Sequence, residues 1–167
     1  VVLGKMDNPR DKNSVTAFLD ALQWPVFPDI SSQLKVDSPA GKLSRYLVPQ
    51  YDLMLLSADL QDSFSAEMIL HLGGRLTSKR LTEWIAKQPC LHYVKVQDTL
   101  QRDDEFHFVS RRYTGIRSFC DTMIPLLGTR NQAPMAKMFG TLSCQVSTMI
   151  GSFVSADNAA LSEGGIA

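Results

Sequence analysis

The run Ala66-Glu67-Met68-Ile69-Leu70-His71-Leu72, closed by Gly73-Gly74, constrains the fold more than any other stretch of the chain. It is strand-length and almost continuously apolar, with no alternation to mark a wet face, so it suits a parallel strand covered on both sides. The two glycines permit a tight strand-to-helix turn and a close approach of backbones. Leu81, Trp84 and Ile85 then recur at helical spacing, Thr77 stands where an N-cap belongs, and Pro89 ends the segment. A buried strand that feeds a helix through a glycine turn is one half of a βαβ unit.

The same unit recurs along the sequence. Val1 to Leu3, stopped by Gly4, reads as a short buried strand; a polar loop over 7–12 follows. From Asn13, Val15, Phe18, Leu19 and Leu22 mark an amphipathic helix that must stop before Pro25, and Val26-Phe27 supplies a second strand. Residues 29–50, broken by Pro39, Gly41 and Pro49, read as an irregular surface connection. Tyr51 to Ser57 fits a strand and a helical turn equally. Leu91 to Val96, with Asp98 at its carboxyl end, and Phe106 to Val109 with Tyr113 are further strands; Ile116, Phe119, Cys120, Met123 and Leu127 mark another helix. The expected fold class is therefore α/β, a mainly parallel sheet between two helical layers, with ligands meeting the carboxyl ends of the strands. This domain spans 1–127, a linker 128–134. In 135–167, Met138, Phe139, Leu142, Val146, Met149, Ile150 and Phe153 form a C-terminal helix placed outside the α/β unit, an extension suited to core, interdomain or partner packing.

Composition narrows function by exclusion. Lys plus Arg and Asp plus Glu number 17 each, so there is no broad positive field for nucleic acid or an anionic membrane surface, and no apolar run is long enough to span a bilayer. Cys90, Cys120 and Cys144 match no metal or redox spacing and cannot all pair, which favours a reducing compartment. His71, His92 and His107 fall on separate strands without ligand partners and read as packing residues. Asp103-Asp104-Glu105 reads as a solvated turn and Asp98 as a turn former or the edge of a site. There is no GxGxxG, no GxxxxGK[ST] and no GxSxG, so nothing in the motifs points to a dinucleotide, a phosphate loop or a serine hydrolase. No residue is assigned a catalytic or metal-binding role.

One feature is out of place for stability alone. Lys79 and Arg80 stand in the first turn of a helix, where the dipole disfavours cations by ~0.3–1 kcal/mol each. Two readings are open. An external carboxylate or phosphate would gather the free N–H groups and the side chains of Lys79 and Arg80, with Arg75, Thr77 and Ser78 in support; or both cations extend into water, where screening makes the cost small.

The stretch Leu76-Thr77-Ser78-Lys79-Arg80-Leu81-Thr82-Glu83-Trp84 resembles the central domain of the MenD family, the 2-succinyl-5-enolpyruvyl-6-hydroxy-3-cyclohexene-1-carboxylate synthases of menaquinone and phylloquinone biosynthesis. Trp24-Pro25 leading to Asp29, Ser32 and Gln33, and Tyr93-Val94-Lys95-Val96 with Asp98, extend the likeness over most of 1–127. Leu161-Ser162-Glu163 is similar to the start of the family's third domain, although Gly164 stands where that family usually has proline. The resemblance implies the Rossmann-like, NAD/FAD-binding-like middle of a three-domain enzyme, with thiamine diphosphate and Mg²⁺ held by the outer domains of the same polypeptide. It implies decarboxylation of 2-oxoglutarate and addition of the succinyl semialdehyde unit to isochorismate, with Lys79 and Arg80 on the carboxylated substrate. It further implies that this chain alone is inactive and binds no cofactor, that the full enzyme is a homo-oligomer, and that the compartment is the plastid stroma for a plant fusion form or the cytoplasm otherwise. The competing expectation is a regulatory anion-binding or purely structural Rossmann-like domain.

Overall fold

The computed structural model describes residues 1–35, 42–89, 92–100, 109–128 and 134–156. Cys90, the Asp103–Glu105 run, His107 and the segment 157–167 lie outside them.

Five strands form one parallel sheet. They are β1 (Val2–Leu3), β2 (Phe27–Pro28), β3 (Met68–Leu72), β4 (His92–Gln97) and β5 (Val109–Tyr113), in the order β2-β1-β3-β4-β5. Every pairing is parallel, with Val2 opposite Phe27 and His71, and Ile69 opposite Tyr93. The period-two pleat sends neighbouring side chains to opposite cores. Leu3, Leu70, Leu72 and Val96 face one core; Val2, Ile69 and Tyr93 face the other. Helix α1 (Asp11–Leu22) and helix α5 (Ile116–Met123) cover the first face, joined by the edge-to-face pair Phe18–Phe119 at 5.9 Å. On the second face, α2 (Tyr51–Met54), the short α3 (Ala58–Asp62) and α4 (Lys79–Lys87) pack through Tyr51, Met54, Leu81, Trp84 and Ile85. The expected three-layer α/β architecture is thus present, and the ambiguous segment at Tyr51 is a helical turn.

Proline positions are explained by the edge. In β2 the N–H groups of Phe27 and Asp29 point to β1, bonding Val1 and Leu3 carbonyls at 2.9 Å each, so Pro28 faces the other way and needs no N–H. On that outer side Val26 bridges Leu47, the chain's own segment closing the edge.

Two expectations need correction. The described parts of the connection across 29–50, namely 29–35 and 42–50, have two short 3-10 turns, Ile30–Ser32 and Lys42–Arg45, and are otherwise irregular but not superficial: Leu34, Leu43, Tyr46, Leu47 and Val48 are all buried and join the cores. It stays irregular because its backbone is satisfied piecemeal, as in Val26 N–H to Tyr46 O and Val48 N–H to Val26 O, both 2.8 Å. The C-terminal helix, α6 (Pro134–Ala156), was expected outside the α/β unit, yet its first half is built into it. Phe139 stacks at 4.1 Å from Phe64 and 5.3 Å from Phe27, Ala136 is fully buried, and Gly140 lies so close to the Arg45 carbonyl that a Cβ there would overlap it. Phe139 and its i+3 and i+7 neighbours, Leu142 and Val146, supply this packed stripe. Beyond them Met149, Phe153 and Val154 are exposed.

Candidate functional site

The strand order places the crevice of this sheet between β1 and β3, because the helix leaving β1, α1, packs on one face and the helix leaving β3, α4, on the other. Glycines make that crevice narrow. Gly73 adopts φ +97°, and a Cβ on it would come within 2.5 Å of the Lys5 carbonyl; one on Gly4 would overlap the Gly74 carbonyl. The two chain ends are stitched by Gly4 N–H to Leu72 O and Gly74 N–H to Lys5 O, both 2.9 Å. Below them His71 is buried, with Nε2 2.9 Å from the Gly74 carbonyl and Nδ1 2.7 Å from the Tyr93 hydroxyl. A carbonyl only accepts, so Nε2 carries a proton and donates to the Gly74 carbonyl; in the neutral ring Nδ1 then accepts from the Tyr93 hydroxyl. His71 holds the glycine turn in place, consistent with its reading as a packing residue.

Out of this turn runs the basic segment. Ser78, not Thr77, is the N-cap of α4: its φ and ψ are −75° and 111°, and its Oγ accepts from the Leu81 N–H at 3.1 Å. Thr77 is released from capping for a different task. Its N–H donates to Asp29 Oδ2 at 2.7 Å and its Oγ1 to Asp29 Oδ1 at 2.8 Å, while the Ser78 N–H reaches Oδ2 at 3.2 Å. From the other side Ser31 donates to Oδ1 through both N–H, at 3.0 Å, and Oγ, at 2.7 Å. Five donors from two segments nearly fifty residues apart in sequence therefore converge on one buried carboxylate. Burial alone pushes the Asp29 carboxyl up; the hydrogen bonds from Ser31 and Thr77 outweigh it and hold it below the usual carboxylate value.

A second carboxylate completes the support. Asp52, on α2, accepts from Ser78 Oγ at 2.5 Å and pairs with Lys35 Nζ at 3.0 Å, and Lys35 lies 4.6 Å over the Tyr51 ring. Burial first, then the carboxylates of Asp52 and Asp29, push the Tyr51 phenol well above its ordinary value, so it remains protonated. Neither Asp29 as an anion at the helix start nor Asp52 was assigned a role from sequence. A carboxylate one residue past a strand, at the carboxyl end of a sheet, was the available signal, but it becomes specific only once β2 is known to lie two strands from β3.

Lys79 and Arg80 project outward from this scaffold. The Lys79 side chain is 87% exposed and 3.7 Å from Glu83, an i,i+4 pair in the weaker orientation with the cation nearer the N-terminus. Arg80 and Arg75 are exposed and form no ion pair among the described residues. The N–H groups of Thr77, Ser78 and Leu81 have acceptors, whereas those of Lys79 and Arg80 have none among the described residues. Two N–H groups without an acceptor among the described residues and two exposed cationic side chains thus belong to consecutive residues in the first turn of α4. Such a helix start can take a carboxylate or another oxyanion by charge-assisted hydrogen bonds. Asp98 stands apart, lining a polar cleft with Asn8, Asp11, Arg117 and Asp121.

Among the described residues no three His, Cys, Asp or Glu side chains form a set able to hold a metal ion.

Comparison with known proteins agrees with the architecture. The family model described as "Middle domain of thiamine pyrophosphate" matches residues 1–164. A 2-succinyl-5-enolpyruvyl-6-hydroxy-3-cyclohexene-1-carboxylate synthase of Chlorobium phaeobacteroides (strain BS1) is 27% identical over 110 residues, 66% of this chain and 18% of that protein. Proteins of the same name from Salinibacter ruber (strain DSM 13855 / M31) and Syntrophus aciditrophicus (strain SB) are 29% identical over 110 residues and 35% identical over 79. They are covered over 18% and 13% of their lengths, by 66% and 47% of this chain. The chain spans less than a fifth of the length of these relatives. With a parallel three-layer fold and a family match over nearly its whole length, this chain belongs to the family of thiamine pyrophosphate enzyme middle domains.

Proposed function

We propose that this chain is the middle domain of a synthase that decarboxylates 2-oxoglutarate and adds the succinyl semialdehyde unit to isochorismate, and that Lys79 and Arg80 hold a carboxylate of isochorismate. Thiamine diphosphate with Mg²⁺ supplies the decarboxylation chemistry when bound, in the outer domains of the same polypeptide. The middle domain contributes the basic edge and the packing that keeps it in place. The reading extends to a homo-oligomeric enzyme of menaquinone or phylloquinone synthesis, in the plastid for a plant fusion form.

The observation that carries this reading is the exposed Lys79–Arg80 pair beside two first-turn N–H groups that the chain's own carboxylates leave open. The relatives' shared name, a synthase of 2-succinyl-5-enolpyruvyl-6-hydroxy-3-cyclohexene-1-carboxylate, supports the product of this reaction. In the full-length enzyme, Lys79→Ala and Arg80→Ala are each expected to lower kcat/KM for isochorismate by roughly 10- to 100-fold. That is what a lost charge-assisted bond of ~1.5–3 kcal/mol produces. The dependence on 2-oxoglutarate concentration should stay as it was. Unchanged isochorismate kinetics would refute the assignment, and unchanged kinetics with an altered response to an added anionic effector would favour a regulatory domain instead.

A further inference from the structure

We propose that Asp29 is a positioning residue for the isochorismate contact, acting through the basic start of α4; this rests on the reading of Lys79 and Arg80 given above.

The case begins from what the helix start would do unaided. Two cations in a first turn repel the helix dipole, and the glycine turn before them is bound to β1 only through backbone. Leu81, Trp84 and Ile85 seat the body of α4 on the sheet and Asp52 accepts from Ser78 Oγ, but none of these holds the backbone N–H groups of residues 77 and 78. Asp29 does so. Its carboxylate is anchored at the end of β2, whose N–H bonds to the Leu3 carbonyl at 2.9 Å, and on Ser31. Through the Thr77 N–H, the Thr77 hydroxyl and the Ser78 N–H it then grips the two residues that precede Lys79. A fully buried anion also opposes the repulsion between the dipole and the two cations.

The division of donors follows from the same contacts. Asp29 takes the N–H groups just before the helix and Ser78 takes that of Leu81, which leaves those of Lys79 and Arg80 without an acceptor among the described residues. An incoming carboxylate is directed to one place, one residue pair further along than an unoccupied helix end would offer. Asp29 touches no solvent-facing group of that pair, so its influence is exerted through residues 77 and 78 alone.

The decisive experiment uses the full-length enzyme with thiamine diphosphate and Mg²⁺. Asp29→Asn keeps the shape but turns one acceptor oxygen into an NH₂ that faces the Thr77 donors. Its KM for isochorismate is expected to rise about tenfold or more, in line with the cost of a misplaced binding group, while the KM for 2-oxoglutarate is unchanged. A residue that served stability alone would reduce the active fraction and leave both KM values as they were. Asp29→Glu, which retains the charge, should recover part of the isochorismate affinity. Thr77→Val removes one hydroxyl from the grip without touching Asp29, so it carries the test if Asp29→Asn does not fold; a severalfold rise in the same KM is expected. An unchanged isochorismate KM in a folded Asp29→Asn enzyme, or in Thr77→Val where Asn is not tolerated, overturns the proposal. Added to Lys79→Ala/Arg80→Ala, Asp29→Asn should raise that KM no further, and a full additive rise overturns the route through the basic pair. A raised KM in Lys79→Ala/Arg80→Ala with none in Asp29→Asn sinks this proposal alone; no effect in either sinks the underlying reading with it.

Discussion

Asp29 and Asp52 flank the same helix start, but their surroundings give them different duties. Asp29 is fully buried and saturated by neutral donors, whereas Asp52 is part-exposed and balanced by the Lys35 ammonium. The consequence for Asp29 is a pH-dependent contribution to stability. Its folded value lies below the unfolded one, since the hydrogen bonds of Ser31 and Thr77 override the burial that would raise it. The contribution is therefore present above the unfolded value of ~3.9 and is lost as pH falls from there through the folded value. Urea unfolding of the 167-residue chain should show wild type ahead of Asp29→Asn at pH 7, with the gap closing below about pH 4. A gap independent of pH would mean that shape, not charge, matters at this position. Gly73 makes a second, purely steric demand. With φ at +97° and the Lys5 carbonyl 2.5 Å from where a Cβ would stand, Gly73→Ala should cost at least ~1–3 kcal/mol. That loss would be read as a lower urea midpoint at unchanged slope.

At the scale of elements, α6 is two helices in function though one in form. Its first half supplies Phe139 to an aromatic group with Phe27 and Phe64, and Ser143 Oγ accepts from the Gln50 N–H at 3.4 Å, so it belongs to the covering layer of the sheet. Its second half shows Met149 and Phe153 at 71% and 73% exposure. Phe139→Ala is accordingly expected to destabilise the chain by ~3–5 kcal/mol, and Phe153→Ala by no more than ~0.5 kcal/mol. Equal effects, measured as shifts in unfolding midpoint, would contradict this division. The same helix shows what a periodic pattern conveys and what it omits. Met138, Phe139, Leu142 and Val146 announced a helix by their spacing, but spacing does not say which partner the stripe meets. The partner, Phe64, sits just before β3 and carries no pattern of its own. Likewise Leu43, Tyr46, Leu47 and Val48 are buried without periodicity, because the segment is held by single bonds to Val26 rather than by a repeating ladder.

The whole molecule was legible where one residue type dominates a strand-length run, as in Met68–Leu72, and where proline or glycine marks an end. The sheet class and the location of the basic pair followed from those signals. The grip of Asp29 on Thr77 did not, because it depends on strand order, and only the sequence β2-β1-β3 across the sheet brings residue 29 to residue 77. The proposed reading places thiamine diphosphate and Mg²⁺ in the outer domains, and this chain spans less than a fifth of the length of its relatives. The 167-residue chain mixed with thiamine diphosphate, Mg²⁺, 2-oxoglutarate and isochorismate is therefore expected to consume no 2-oxoglutarate above the background without protein. The same mixture with the full-length enzyme should turn over. Measurable consumption by the shorter chain would place a cofactor site within it and overturn the division of labour proposed for the domains. Affinity for isochorismate is a separate matter: on the proposed reading Lys79 and Arg80 offer one carboxylate contact, which in isolation is worth too little for more than millimolar binding, at ~3 kcal/mol against the ~4 kcal/mol that a millimolar Kd requires. Titration of the shorter chain with isochorismate should accordingly show no saturation below about a millimolar, and tight binding would mean that this domain supplies far more of the pocket than its basic edge.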